Sequence, residues 1–203
     1  MKINREKVEQ LVRTMKPLFT DSSRASQIKT KGACDYVTQV DIQVQKLIKE
    51  GLYQMYPQVQ FMGEEQDNTA IDRKGDFWIL DPVDGTTNLI HDFRHSTLSL
   101  AYAEEGTVEL GIVYQPYTDE MFVAVKGKGA FLNGKPIHVS EAKTLSESLV
   151  TIGTSPYYHE LADWIFKVFK EVFLSCQDIR HLGSAALDMA YVACGRVDAF
   201  FEA

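Results

Sequence analysis

Cysteine is scarce. The 203 residues contain three, Cys34, Cys176 and Cys194, an odd number at wide spacings with no CxxC pair. This excludes a disulfide framework and a cysteine-rich zinc site and fits reduced thiols. Long apolar runs are also missing. None approaches the ~20 residues that a membrane-spanning helix needs, and the opening MKINREKVEQ has no secretory apolar stretch. A cytoplasmic protein with no membrane partner is therefore expected. Basic residues are the minority, 21 Lys and Arg against 28 Asp and Glu, which leaves a formal net charge of −7. Proteins whose main partner is a nucleic-acid backbone usually carry a basic face, so no nucleic acid is expected in that role. No repeat, low-complexity tract or Pro/Gly/Ser-rich linker interrupts the chain. With 45% apolar residues it reads as one continuous folded unit. The acid surplus is either solvated surface or gathered around a cation.

Val8, Leu11, Val12, Met15 and Leu18 recur at three- and four-residue spacing and predict a first amphipathic helix. Val44, Leu47, Ile48, Leu52 and Met55 predict a second, with Thr38 as its N-cap and Pro57 as its end. From about Val59 the pattern turns to short β-type runs, VQFM, FWIL, TLSLAYA, VELGIVY and MFVAV, and Asn133-Gly134 marks a hairpin between AFL and KPIHV. Helices return around Leu161–Phe173 and Ala185–Cys194, the latter closed by Gly195, before a last strand candidate at Val197–Phe201. Helices, then a largely antiparallel block of strands, then helix and strand again predict an α+β layered fold.

The chemistry concentrates at Phe77–Leu89, FWILDPVDGTTNL. An apolar strand delivers Asp81 to its end, Pro82 breaks the ladder, and Asp84 to Asn88 have the composition of a helix start. Carboxylates beside free N–H groups suit a phosphate bridged to hard cations, because carboxylates alone would repel it. A calcium loop of the EF-hand kind is excluded: counted from Asp81, its third, fifth and sixth places hold Val83, Gly85 and Thr86. Gly63-Glu64-Glu65 places further acids at a strand end, and Asp35 and Asp41 flank the start of the second helix. Singly, each suits a solvated loop or a cap; together they offer the oxygen-only ligands that divalent cations want. His91 and His95 lack the partners of a phosphohistidine phosphatase and read as structural or surface residues, and no CxxxxxR phosphate loop is present. Gly183 to Ala186 suit either close approach of a ligand or tight helix packing, and Asp188 is expected to face solvent.

Four motifs in order, DYVTQVD at 35–41, GEE at 63–65, WILDPVDGTTN at 78–88 and RHLGSAALDMAYVACGRVDAFFE at 180–202, resemble those of the inositol monophosphatase family of Mg²⁺-dependent, lithium-sensitive phosphomonoesterases. The resemblance implies a layered α/β/α/β sandwich of the sugar-phosphatase type, with residues 1–140 as the metal-binding lobe and 141–203 as an incomplete C-terminal lobe. It implies Glu64, Asp81 and the Val83 carbonyl as ligands of a first Mg²⁺, and Asp81 with Asp84 as ligands of a second. A third, weakly held ion falls near Glu64, and Glu65 stands behind the ligands. Asp84, Gly85 and Thr86 would meet the phosphate, and Gly183, Ser184, Ala185 and Glu202 the alcohol. Thr86, paired with Asp41, and Glu64 would activate the attacking water. Lys29 or Lys31 is a candidate to near the phosphate. The implied substrate is an inositol monophosphate or similar polyol phosphate. Relatives acting on fructose 1,6-bisphosphate, phosphoadenosine phosphate, histidinol phosphate or NADP remain alternatives, as does a non-catalytic metal- or phosphate-binding regulatory module. A homodimer is implied by resemblance alone.

In the family the chain runs on beyond the position of Glu202 to a Trp-Asp motif whose aspartate completes the second metal site, whereas here Ala203 is last. The C-terminal lobe therefore reads as truncated. A longer natural chain would be an ordinary family enzyme. A polypeptide ending at Ala203 is expected to bind the first Mg²⁺ and to hydrolyse phosphomonoesters poorly. Efficient Mg²⁺-dependent hydrolysis by protein whose intact mass confirms that terminus would overturn this.

Overall fold

The computed structural model describes residues 3–21, 28–32, 35–156 and 158–202, with 28–32, 35 and 36 described by backbone alone. Cys34 and the side chains of Lys29 and Lys31 thus lie outside the described residues.

The first apolar stripe forms two helices, α1 (Arg5–Arg13) and α2 (Lys16–Thr20). Pro17 has no N–H to continue the α1 ladder but is tolerated in the first turn of α2. Val8, Val12, Met15 and Leu18 still face one core. A short hairpin, β1 (Ile28–Gly32) and β2 (Asp35–Thr38), leads into α3 (Gln39–Met55). Thr38 caps α3, and Asp41 at the third helical position returns a hydrogen bond to the Thr38 N–H, which makes a capping box. Val44, Ile48 and Leu52 are buried, whereas Leu47, expected on the same stripe, is 42% exposed on its shoulder.

Seven strands follow in a single sheet ordered as in the sequence: β3 (Gln60–Gly63), β4 (Phe77–Asp84), β5 (Thr97–Glu104), β6 (Thr107–Gln115), β7 (Glu120–Val125), β8 (Gly129–Leu132) and β9 (Lys135–Pro136). Only β3 and β4 are parallel, and KPIHV is strand for two residues. α1–α3 cover one face, where Val12, Val44 and Ile48 meet Trp78, Leu100, Ile112 and Tyr114. A second, all-parallel sheet holds β10 (Leu149–Ile152) between β11 (Asp178–Arg180) and β12 (Ala199–Phe201). α5 (Ala162–Ser175) packs on it through Ile165 and Phe169. α6 (Ala185–Ala193) seats Leu187, Ala190 and Tyr191 against Phe122 on the free face of the large sheet, with Leu149 of β10 beside them. The fold is therefore the expected layered α+β class, with α6 held in its interior. Cys176 and Cys194 are free, half-buried thiols beside these clusters. Among the described residues no helix is long and apolar enough to cross a membrane.

Burial in the α3 seam sets a test. Ile48→Ala, which empties a site with 0% exposure, should cost about 2–5 kcal/mol in urea unfolding. Leu47→Ala should stay within about 0.5 kcal/mol; equal losses would contradict this packing.

Candidate active site

The site begins with a lapse in the β4–β5 ladder. Asp81 pairs with Ser99 and Asp84 with Thr97, so β4 spends one residue more than β5 between the two rungs. Pro82 sits in this bulge, where a missing N–H costs nothing. The Asp81 carboxylate turns back to accept from the Val83 N–H at 3.0 Å. Gly85 follows with φ +87°, in the left-handed region. A Cβ there would lie 2.9 Å from the Gly183 carbonyl and 3.1 Å from that of His95. The chain then enters α4 (Thr86–Ile90).

Thr86 Oγ1 lies 3.0 Å from the Val83 carbonyl and 3.3 Å from Asp41 Oδ1. Its one proton can go to either acceptor. Asp41 is 1% exposed, and its other oxygen accepts from the Thr38 N–H at 2.8 Å and the Thr38 hydroxyl at 2.6 Å. Burial pushes its carboxyl above the usual range despite those bonds. The capping box of α3 thus presents a carboxylate to the site.

Asp84 Oδ2 accepts from Ser184 Oγ and the Ala186 N–H, both at 2.7 Å. Ser184 is the N-cap of α6, and its hydroxyl also meets Thr97 Oγ1 at 3.2 Å. The end of β4 and the start of α6 are thereby joined across roughly one hundred residues of sequence.

Glu64, Asp81, Val83, Asp84, Gly85 and Thr86 form one side of a cavity of about 680 Å³, and Gly183, Ser184, Ala185 and Glu202 form the other. Asp41 reaches it through Thr86. Glu65 stands outside the lining, with its N–H bonded to Gln45 Oε1 at 2.9 Å. Glu202 lies across Gly153, whose absent Cβ would fall 2.4 Å from the Glu202 carboxyl carbon. His91 lines the cavity, and His95 contributes its carbonyl to the hydrogen bonding nearby. Sequence reasoning missed Thr154, His181 and Asp188 in the lining. Asp188, expected to face solvent, is 1% exposed because α6 lies between two sheets. Its Oδ1 has no hydrogen-bond partner. Only the Gly183–Ala186 run hinted that the start of α6 would be approached closely.

Burial pushes the Asp81 carboxyl up to about 8, helped by the charges of Asp84 and Glu64. Burial also raises Asp84, against the opposing hydrogen bonds from Ser184 and α6. It takes Asp188 to about 7, with Asp84 and Glu202 adding to the effect. Acids crowded this way, beside a backbone carbonyl and a hydroxyl, are the donor set of a hard divalent cation. Glu64, Asp81 and the Val83 carbonyl fit one such ion. No three His, Cys, Asp or Glu side chains converge as a ready metal cluster among the described residues, and one Asp84 oxygen is engaged on α6.

The model of the inositol monophosphatase family matches residues 2–203. The chain belongs to the inositol monophosphatase family. It is 37% identical over 176 residues to the inositol-1-monophosphatase of Rhizobium meliloti, covering 87% of this chain and 66% of that protein. It is 39% identical over 176 residues to the Nus factor SuhB of Xylella fastidiosa, covering 85% and 62%. The chain therefore spans somewhat under two-thirds of the length of these relatives. The crystal structure of the Bartonella henselae extragenic suppressor protein suhB superposes with a TM-score of 0.91 at 31% identity, covering 97% of this chain and 77% of that one. An IMPase/NADP phosphatase complexed with Mg²⁺ and phosphate gives 0.79 at 26% identity, with 96% and 70% covered.

The raised acids have a measurable consequence. An unfolded aspartate titrates near about 3.9, and native Asp81 near about 8. Between these values the metal-free native state holds the extra proton, so stability is lost as pH rises through that window. Acids held low, such as Asp119 and Glu120, act only at lower pH. Metal-free protein should melt at a higher temperature at pH 5 than at pH 8, and Mg²⁺ should raise the midpoint more at pH 8. A metal-free midpoint that climbs from pH 5 to pH 8 would contradict this.

Proposed function

We propose that these residues carry out Mg²⁺-dependent hydrolysis of a phosphomonoester, with an inositol monophosphate or similar polyol phosphate as substrate. The supporting observation is the single cavity that joins Glu64, Asp81 and Asp84 on one side to Gly183, Ser184, Ala185 and Glu202 on the other. Glu64, Asp81 and the Val83 carbonyl would hold a first cation, and Asp81 and Asp84 would serve a second. A bound divalent cation there supplies charge neutralisation and makes a water more acidic. The chain's own groups do the rest. The Gly85 and Thr86 N–H groups donate to phosphate oxygens. Thr86 Oγ orients the attacking water and takes its proton as its own passes to Asp41, whose burial makes it the better acceptor. Water adds to phosphorus as the ester P–O bond breaks. Glu202, exposed within the cavity, accepts from hydroxyls of the leaving polyol.

Asp84 engaged on α6 instead of a ligand cluster, together with relatives named as Nus factors, favours a second reading: a metal- or phosphate-binding module without turnover. Phosphate release separates the two. Inositol monophosphate, fructose 1,6-bisphosphate, phosphoadenosine phosphate, histidinol phosphate and NADP are assayed with and without Mg²⁺ and Li⁺, on protein of verified mass. Slow release that requires Mg²⁺ and is inhibited by Li⁺ is expected, greatest for the polyol phosphate. Asp41→Asn should lower kcat on the order of 10²-fold while Mg²⁺ affinity stays within about twofold. No release from any substrate sustains the module instead.

A further inference from the structure

Asn88 closes the WILDPVDGTTN motif, yet neither metal ligation nor proton transfer employs it. Its carboxamide nitrogen lies 2.9 Å from the His95 carbonyl and 2.7 Å from the Leu182 carbonyl. An NH₂ group has two donors in a fixed plane, and here each proton has an acceptor. His95 stands two residues before β5 and Leu182 three before α6. One side chain therefore ties its own helix to the approach to β5, 7 residues on, and to the approach to α6, 94 residues on.

The surrounding backbone is shaped to admit that carboxamide. Gly183 has φ +78°, and a Cβ on it would lie 3.0 Å from Asn88 Nδ2 and 3.1 Å from Oδ1, tight enough that the carboxamide would have to give way. Gly85 approaches from the other side, with room for no Cβ against the Gly183 and His95 carbonyls. Ser96 Oγ donates to the Gly85 carbonyl at 2.8 Å and secures the remaining edge. Glycine at 183 thus answers close packing against the Asn88 amide, and glycine at 85 answers close packing against the Gly183 and His95 carbonyls, the latter an acceptor of that amide.

We propose that Asn88 is a positioning residue. Its two hydrogen bonds set the spacing between Gly85–Thr86 and Gly183–Ala185, so that the phosphate side and the alcohol side of the cavity are held as one receptor. The substrate part of this statement rests on the phosphomonoesterase reading; the structural part does not. Asn88→Asp keeps the shape, removes both donors and sets one carboxylate oxygen against two carbonyls, an unfavourable meeting of part-buried acceptors.

The test has two arms. In metal-free protein, Asn88→Asp should speed amide exchange across residues 182–187 at least tenfold, with β5 and β6 unchanged within twofold. With Ca²⁺ present, the Kd for inositol 1-phosphate should rise at least tenfold while that for inorganic phosphate moves less than threefold and Mn²⁺ affinity less than twofold. Gly183→Ala, which pushes a Cβ into the same carboxamide, should give the same exchange pattern. The double variant should add little to the larger single effect. Unchanged exchange at 182–187, or equal weakening of both ligands with faster exchange throughout the sheet, overturns the proposal. If the unaltered protein binds no inositol 1-phosphate, the substrate reading fails, and the exchange arm still decides the role of Asn88.

Discussion

The two hydrogen bonds that Asp84 accepts from Ser184 and Ala186 connect the part of the molecule that gathers acids to the part that closes the cavity. Asp84 stands at the end of β4, a strand paired on both sides within the large sheet. Ser184 begins α6, the helix trapped between the two sheets. A carboxylate at a helix start is favourable for the N–H groups and for the helix dipole. The same contact leaves Asp81 crowded by Glu64 and Asp84, and with burial this raises its carboxyl despite the bond from the Val83 N–H. The fold therefore fixes where the acids gather, and in the proposed function a cation completes the arrangement.

This reading gives the acid surplus a location. A phosphate monoester is repelled by whichever of Glu64, Asp81, Asp84 and Asp188 are ionised when no cation is bound. Bound cations reverse the local sign and make the Gly85 and Thr86 N–H groups usable. Asp41 occupies a separate position: its hydrogen bonds to Thr38 belong to the α3 capping box, so its orientation is set by helix formation and does not depend on ion binding. In the proposed mechanism, metal holding and proton handling therefore fall to different elements that meet at Thr86.

Much of this was legible in the sequence, for local reasons. The α3 stripe, Thr38 as its cap and the apolar strand into Asp81 all follow from short-range periodicity or turn chemistry, whereas the small residues from Gly183 to Ala186 suited close approach and helix packing equally. Local signals also have limits. The stripe from Val8 to Leu18 concealed a break that Pro17 imposes. Leu47 lies on the margin of a face whose width depends on what packs there. The parallel β3–β4 pair and the all-parallel second sheet come from long-range connections that alternation does not encode. Asp188 was misread for the same reason: nothing in its neighbourhood announces that a second sheet will cover α6. Thr154 and His181 join the cavity because parallel strands β10 and β11 run toward it together.

The dependence of anion binding on a cation is the central claim, and phosphorus NMR of inorganic phosphate reads it directly. Titrating protein into phosphate should broaden the resonance only when Mg²⁺ is present, and Asp81→Asn should abolish the broadening at the same Mg²⁺ concentration. Equal broadening in a chelator, or broadening that survives Asp81→Asn, would contradict the account.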